Sequence, residues 1–295
     1  MRSPPGFRIS ILCNLSRLTA PSYKMTQIGV FDSGYGGLTI LREIRKRLPE
    51  YDYLYLGDNA RAPYGTRSFD VVLDFTKQAV EELFSRGCHL VILACNTASA
   101  KALRTIQQTL LPLKYPGRRV LGVIRPTAEI IGSITRNRHI GVLATPGTIQ
   151  SHSYTLEIEK LFPDIKVNEL ACPMFVPLVE NEEATGPGAD YFVKKYINLI
   201  MEKDPAIDTL VLACTHYPIL FPKIRKFAPE NIRVIAQGDL VADSLADYLR
   251  RHPEIERECS KNGTVKFLTT ENTEKFNHLA SVFMKEPVEA TRIIL

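Results

Sequence analysis

The chain has 295 residues, of which 45% are hydrophobic and 23% charged, a composition typical of a globular protein long enough to form two hydrophobic cores. No apolar run approaches the roughly 20 residues of a membrane-spanning helix. The net charge is +5, but residues 1–24 hold four basic and no acidic side chains, which leaves 33 basic against 32 acidic residues in the remainder. The sequence therefore gives no reason to expect a nucleic-acid or membrane partner.

Residues 1–24 precede the first predicted strand. Their apolar run at 9–15 is short and is interrupted by Ser10 and Asn14, unlike a secretory signal. We expect these residues to form a disordered leader added by an upstream start codon, with Met25 as the functional start. The six cysteines of the whole chain show neither zinc-site nor disulfide-framework spacing, which favours the reducing cytoplasm.

Apolar strand patterns alternate with amphipathic helical patterns such as 69–86 and 189–202, the second of which follows a loop over 182–189. This alternation predicts parallel sheets with helices on both faces. Because ligands bind at the carboxyl ends of the strands in such sheets, we expect the polar residues that follow the strands to converge on one cleft. The predicted strands are 27–31, 52–56, 89–94, 119–123, 139–143, 166–170, 208–213 and 232–235.

Two strand patterns occur twice. Ile28-Gly-Val-Phe resembles Ile140-Gly-Val-Leu, 112 residues further on, and Leu-Ala-Cys95 resembles Leu-Ala-Cys214, 119 residues further on. Strands of parallel sheets resemble each other in general, but the nearly constant offset favours two similar α/β domains of about 100 residues each. We therefore expect a mostly parallel sheet flanked by helices in each domain, with the active site in the cleft between them.

A glycine-rich turn, Asp32 to Gly37, follows the first strand and opens a helix. Its backbone amides suit a bound anion, and a carboxylate fits better than a nucleotide because both the GxGxxG and the P-loop patterns are absent. The alternative is a tight turn in which the glycines serve backbone geometry alone.

The polar loop 59–66 is a second candidate for ligand binding, since Pro63 and Gly65 fix its course. Arg61 and Arg67 could attract an acidic substrate, although exposed arginines usually have no such specific role. Further polar side chains at the expected sheet edge are Glu180, Thr145 and Thr148.

A free cysteine after an apolar strand is more often a packed core residue than a base. Cys95 and Cys214, however, are each followed by residues that suit a helix N-terminus, whose dipole and amides stabilise a thiolate. His216 could relay the proton of Cys214, and Asp32 could do so for Cys95. The other cysteines lack such neighbours and are interpreted as packing or incidental residues: Cys88, Cys172, Cys13 and Cys259.

Two thiols that face each other across a small molecule can remove a proton from one side of a carbon and return one to the other side, which inverts a stereocentre. No cofactor is needed if the site is closed and fixed dipoles stabilise the carbanion. The sequence has no lysine motif for pyridoxal phosphate, no nucleotide loop and no metal-ligand spacing. We therefore expect a racemase that uses neither a cofactor nor a metal.

Five motifs follow one another along the chain: Asp32-Ser33-Gly34-x-Gly36-Gly37, Asp58-x-x-x-x-Pro63-Tyr64-Gly65, Ala94-Cys95-Asn96-Thr97-Ala98-Ser99, Thr145-x-Gly147-Thr148 and Cys214-Thr215-His216-Tyr217-Pro218. In order and spacing, this set resembles the motifs of the bacterial glutamate racemase family. The resemblance covers about residues 25–290 and begins at Met25.

The resemblance implies that Cys95 and Cys214 are the two proton donors and acceptors, with Asp32, His216 and Glu180 assisting them. It implies a first domain of 25–122 and 236–295, with 123–235 inserted into it as the second domain. It further implies a cytoplasmic homodimer that supplies D-glutamate for peptidoglycan. The substrate-binding residues it implies are Asp32, Ser33, Pro63, Tyr64, Gly65, Asn96, Thr97, Thr145, Thr148, Thr215 and His216.

Three other functions are compatible with parts of this pattern. An aspartate or related amino-acid racemase would use the same cysteine pair. A thiol hydrolase would use one cysteine as nucleophile and His216 as base, so that Cys214 alone would matter. A non-enzymatic binding module for acidic amino acids would keep both cysteines as packing residues and would bind its ligand without turnover.

Overall fold

The structure is a computed structural model that describes residues 26–295, so the predicted leader lies outside the described residues. All eight predicted strands are present, each within one residue of its predicted ends. Two strands near the end of the chain, β9 and β10, were not predicted. The strands are β1 (Ile28–Asp32), β2 (Tyr53–Gly57), β3 (Leu90–Leu93), β4 (Arg119–Gly122), β5 (His139–Ala144), β6 (Lys166–Ala171), β7 (Thr209–Ala213), β8 (Arg233–Ile235), β9 (Val265–Thr269) and β10 (Ala290–Arg292).

Helices connect the strands, and none of those in residues 26–295 has the length and apolar character needed to cross a membrane. Short 3₁₀ turns lie at Asn59–Arg61 and Tyr217–Leu220, and a π-helical turn at Ile106–Leu110. The α-helices are α1 (Gly37–Arg47), α2 (Phe69–Ser85), α3 (Asn96–Lys101), α4 (Leu103–Thr105), α5 (Leu111–Lys114), α6 (Ile124–Ile134), α7 (Pro146–Gln150), α8 (Ser153–Leu161), α9 (Phe175–Glu180), α10 (Pro187–Lys203), α11 (Phe221–Phe227), α12 (Gly238–Arg251), α13 (Pro253–Glu256) and α14 (Thr273–Met284).

The strands form two parallel sheets. The first has the order β10-β9-β2-β1-β3-β4, and the second has the order β6-β5-β7-β8. The run β2-β1-β3-β4 therefore matches the second sheet strand for strand, with β1 equivalent to β5 and β3 equivalent to β7. This equivalence confirms the two similar halves that the repeated strand patterns predicted. The first sheet takes strands from both ends of the described chain and the second from its middle, while the predicted domain boundaries at 122 and 235 stay predictions.

Successive residues of β1 face opposite sides of the first sheet, as the pleat of a strand requires. Val30 belongs to one buried apolar cluster and Phe31 to another. The cluster that contains Val30 continues into the second sheet through Leu212 and Cys214. A continuous core thus fixes the carboxyl ends of β1, β3 and β7 relative to one another, and the site lies at these ends.

Candidate active site

A cavity of about 260 Å³ lies where residues from the carboxyl-end loops of both sheets meet. It brings together side chains from widely separated parts of the chain, as the sequence predicts for a parallel α/β fold. Two predicted site residues, Asp32 and Thr148, are not in its wall. The predicted site residues that line it are Ser33, Pro63, Tyr64, Gly65, Cys95, Asn96, Thr97, Thr145, Glu180, Cys214, Thr215 and His216.

Cys95 caps the N-terminus of α3, as its sequence context indicates. The backbone N–H of Ala98 donates to Cys95 Sγ at 3.4 Å, and the hydroxyl of Ser33 lies 3.3 Å from the same sulfur. Burial and the neighbouring Asp32 carboxylate nevertheless raise the pKa of the Cys95 thiol to about 12. At neutral pH, Cys95 is therefore a protonated thiol held against two hydrogen-bonding groups.

Cys214 follows β7, at the position equivalent to that of Cys95 after β3, but its surroundings differ. His216 Nδ1 lies 3.9 Å from Cys214 Sγ, and His216 Nε2 lies 2.9 Å from Glu180 Oε1. Burial alone would lower the pKa of His216, but the hydrogen bonds to Cys214 and Glu180 outweigh it and raise this pKa to about 10. At neutral pH, an imidazolium cation therefore lies beside the sulfur of Cys214.

The helical turn after Cys214 begins later than predicted. Thr215 and His216 precede the 3₁₀ turn Tyr217–Leu220 instead of forming its first residues. The proline at position 218 suits the start of that turn, because a first-turn N–H has no intrahelical partner. Cys214 Sγ thus lies beside the cationic side chain of His216, whereas Cys95 Sγ accepts a hydrogen bond from a backbone N–H.

Glu180 was expected at the end of a strand, and this was wrong. It is the last residue of α9, the helix that follows β6. A carboxylate at a helix C-terminus is disfavoured by the helix dipole, but here its partner is the cationic His216. The ion pair crosses from α9 to the loop after β7 and closes one side of the cavity.

Asp32 lies in the interior, fully buried beside the cavity wall. Its Oδ1 accepts the N–H of Gly34 at 2.8 Å, and its Oδ2 accepts the hydroxyl of Thr215 at 3.4 Å. Burial raises the pKa of Asp32, partly offset by the His216 charge and by backbone N–H groups. The turn was expected to bind a ligand carboxylate but binds the carboxylate of Asp32 itself. The hydrogen bond to Thr215 connects Asp32 to the cavity wall.

Three threonine hydroxyls meet on another side of the cavity. Thr97 Oγ1 lies 3.0 Å from Thr145 Oγ1, and Thr145 Oγ1 lies 3.1 Å from Thr148 Oγ1. Thr148 is fully buried behind the other two. Because Thr97 lies in the first turn of α3 and Thr145 follows β5, this contact joins the two halves of the molecule at the cavity.

The loop 62–66 forms part of the wall, held by the bond from Gly147 N–H to Gly65 O at 2.7 Å. Arg61 and Arg67, proposed to attract an acidic substrate, do not line the cavity. Arg61 instead donates to Asp58 Oδ2 at 2.6 Å. Within the part of the chain that the structure describes, the wall contains no lysine or arginine, so a carboxylate bound here would contact neutral donors and His216.

One segment of the cavity wall was not predicted from the sequence. Cys172, which its sequence context favours as a packing residue, lines the cavity together with Pro173, Val176, Pro177 and Asn181. Its thiol is fully buried, and burial raises its pKa well above the ordinary value. The position of Cys172 in the sequence could have indicated this, since it directly follows β6 at the same carboxyl edge as the other site residues.

Comparisons with known proteins agree with this fold. The Asp/Glu/Hydantoin racemase family model matches residues 38–245. A glutamate racemase from Roseobacter denitrificans is 39% identical over 272 residues, covering 89% of this chain and 98% of the relative. Among solved structures, a glutamate racemase isoform from Bacillus anthracis is similar with a TM-score of 0.84 and 35% identity, over 92% of this chain and 98% of that one.

A second solved structure, glutamate racemase from Francisella tularensis in complex with D-glutamate, has a TM-score of 0.80 and 32% identity, over 92% of this chain and 97% of that one. Two similar parallel sheets with a shared cavity, together with these likenesses, define the protein as an isomerase of the racemase class. The chain belongs to the Asp/Glu/Hydantoin racemase family.

Proposed function

We propose that this protein interconverts L-glutamate and D-glutamate by proton transfer at the α-carbon, with Cys95 and Cys214 acting from opposite faces. One observation carries the proposal: the two cysteines follow equivalent strands, β3 and β7, of similarly ordered sheets, and both line the same cavity. Glutamate as substrate is taken from the similar proteins, which are named glutamate racemases.

The two sulfurs have complementary surroundings. Cys95 is a protonated thiol at neutral pH, because burial raises its pKa to about 12. His216, whose pKa is raised to about 10, stabilises negative charge on the sulfur of Cys214. One side of the cavity is therefore suited to an acid and the other to a base, which is the pairing that a single inversion requires.

In one direction, the thiolate of Cys214 takes the proton from the α-carbon as that C–H bond breaks, and Cys95 delivers its own proton to the opposite face. After the two transfers, Cys214 is protonated and Cys95 is the thiolate. The reverse reaction therefore uses the same groups with exchanged roles. Asp32 and Ser33 assist at Cys95, and His216 with Glu180 assists at Cys214. No cofactor takes part in these steps.

The carbanion formed between the two transfers needs fixed donors and little water. Both sulfurs are well shielded, since Cys95 and Cys214 are each 6% exposed. The N-terminus of α3, the hydroxyls of Thr97 and Thr145 and the side chain of Asn96 supply dipoles at the cavity wall. We assign substrate contacts to these groups and to the loop 63–65, with Ser33, Thr215 and His216 completing the set and Asp32 and Thr148 acting from behind it.

The cellular setting is part of the same proposal. Within residues 26–295, the five cysteines are unpaired, which supports a reducing cytoplasm. That the enzyme works as a homodimer and supplies D-glutamate for peptidoglycan is proposed from the family resemblance.

The test is proton NMR of the purified, reduced protein with L-glutamate in D₂O without added cofactor, followed in parallel by polarimetry. We expect loss of the α-proton signal together with loss of optical rotation. L-aspartate, measured in the same way, distinguishes a glutamate enzyme from an aspartate racemase. Absence of exchange with either amino acid, in a sample shown to be folded, would overturn the proposal.

A further inference from the structure

A ring of three side-chain hydrogen bonds adjoins the Cys95 side of the cavity. Tyr154 OH donates to Asn96 Oδ1 at 2.6 Å, Asn96 Nδ2 donates to Gln237 Oε1 at 2.7 Å, and Gln237 Nε2 donates to Tyr154 OH at 2.6 Å. All three residues are buried. They come from α3, from α8 and from the connection between β8 and α12, so the ring joins segments that flank both sheets.

One backbone group sets the direction of every bond in this ring. Val123 O accepts from Gln237 Nε2 at 3.1 Å, and a carbonyl oxygen can only accept. Gln237 must therefore turn its Oε1 toward Asn96, which must present its Nδ2 in return. The Oδ1 of Asn96 then faces Tyr154, and that hydroxyl has to be the donor.

Tyr154 is suited to this donor role. Burial raises the pKa of its phenol well above the ordinary value, so the O–H group is intact throughout the physiological pH range. The hydroxyl both donates to Asn96 and accepts from Gln237, which satisfies a buried polar group that would otherwise cost stability. The ring is therefore closed, with one direction of donation.

The ring leaves one hydrogen of Asn96 unused. A side-chain amide nitrogen carries two hydrogens, and the ring takes one. Within residues 26–295, no protein acceptor contacts the second, although Asn96 lines the cavity. The oxygen of the same amide is engaged by Tyr154 and cannot turn toward a ligand.

We infer that Tyr154 and Gln237 are positioning residues that fix Asn96 as a hydrogen-bond donor to a substrate carboxylate. This inference rests on the proposed function. A donor is what a dicarboxylate needs here, because the described part of the cavity wall has no lysine or arginine. An amide without the ring would present its oxygen as readily as its nitrogen, and the oxygen would repel the carboxylate. The ring therefore prepares the donor before the substrate arrives.

The first test compares Tyr154→Phe with Thr127→Val. Thr127 Oγ1 lies 2.9 Å from Gln237 Nε2, but the two hydrogens of that nitrogen go to Val123 O and Tyr154 OH. Thr127→Val therefore removes a buried hydroxyl from the same cluster and leaves the three bonds of the ring intact. For Tyr154→Phe we expect the KM for both enantiomers of glutamate to rise by about 10-fold or more, the worth of a hydrogen bond to a charged group, with little change in kcat. For Thr127→Val we expect an unchanged KM.

The second test asks whether Tyr154 acts through Asn96. Asn96→Ala should raise KM by itself, and adding Tyr154→Phe to it should cause no further rise. Gln237→Leu removes the other positioning residue and is a second ring variant. The inference can therefore still be tested if Tyr154→Phe fails to fold.

An unchanged KM in both ring variants, or an equal rise of KM in the presence and absence of Asn96, would overturn the inference. A loss of melting temperature in Tyr154→Phe and Thr127→Val alike, without any change in KM, would show a structural role only. Wild-type turnover is measured first. If the wild type does not racemise glutamate, the proposed function fails and this inference fails with it. If the wild type is active and the ring variants have an unchanged KM, only the role assigned to the ring is refuted.

Discussion

Glu180 and His216 form an ion pair at the cavity wall, with 2.9 Å between Glu180 Oε1 and His216 Nε2. The other ring nitrogen, Nδ1, contacts the sulfur of Cys214 at 3.9 Å. A carboxylate on a helix end thereby favours the charged imidazolium next to one of the two thiols. Among residues 26–295, the charged group that acts most strongly on Cys95 is the acidic Asp32 and not a cation. The two thiols are equivalent in the fold but electrostatically different.

This difference predicts a pH effect at Glu180. Since the hydrogen bonds to Cys214 and Glu180 raise the pKa of His216 to about 10, His216 loses its charge only as the pH rises through that value. Glu180→Gln removes the negative partner and lowers this pKa. We expect the alkaline decline in kcat/KM to begin at lower pH in Glu180→Gln than in the wild type.

Glu182→Gln is the matched control, because it removes the same charge two residues further on. Glu182 contacts the exposed His278 and not His216. The pH profile of kcat/KM for Glu182→Gln should coincide with that of the wild type. Coincidence of the Glu180→Gln profile with both would contradict the role of Glu180.

The second prediction concerns the sulfurs themselves. Cys95→Ala and Cys214→Ala should each remove racemisation, with a loss of about 10²- to 10⁴-fold or more, because each deletes one of the two proposed proton-transfer groups. Cys88→Ala is the control, since Cys88 is a buried thiol in the core of the same sheet and does not line the cavity. Turnover of L-glutamate followed by polarimetry measures all three, and full activity in either site variant would refute the two-base mechanism.

We predict a more selective loss of activity when one of the two cysteines is replaced by serine. Cys95→Ser or Cys214→Ser retains one thiol, which can still take the α-proton of the enantiomer that it faces. We expect slow α-proton exchange in D₂O for one enantiomer and not for the other, with the preference reversed between the two variants. Proton NMR of each pure enantiomer reports this, and equal exchange of both enantiomers by either variant would count against opposed thiols.

Gly36 is predicted to be necessary for the position of His216. A Cβ added at Gly36 would meet Thr215 Oγ1 and would lie 2.5 Å from His216 Nδ1. Gly36→Ala should therefore displace His216 from Cys214, lower kcat and destabilise the fold by about 1–3 kcal/mol, as overpacking usually does. Gly188→Ala provides the comparison, because nothing lies within 4 Å of its added Cβ. That change should be neutral or stabilising by up to about 1 kcal/mol. Turnover and thermal unfolding of both variants test the prediction, and a fully active Gly36→Ala enzyme would contradict it.

The sequence by itself determined the eight strands between positions 28 and 235 and the residues that follow them. Buried parallel strands are continuous apolar runs, a local property that the sequence displays directly. It also determined that Cys95 and Cys214 occupy matching places, because the repeated strand patterns carry them. The strands β9 and β10 were not predicted. For β10 the reason is that it is three residues long and its residues are partly or fully exposed.

Only the tertiary structure decided how the two thiols differ. Glu180 contacts His216 from a helix end, Asp32 lies behind the cavity wall, and Cys172 is part of that wall. The contact between Asn96 and Gln237 joins residues 141 positions apart. Such contacts depend on how the sheets and helices pack, and no local pattern records them, because each residue taken alone is an ordinary loop or helix residue. The matching positions of the two cysteines could be predicted from the sequence, whereas the charge environment of each depends on packing.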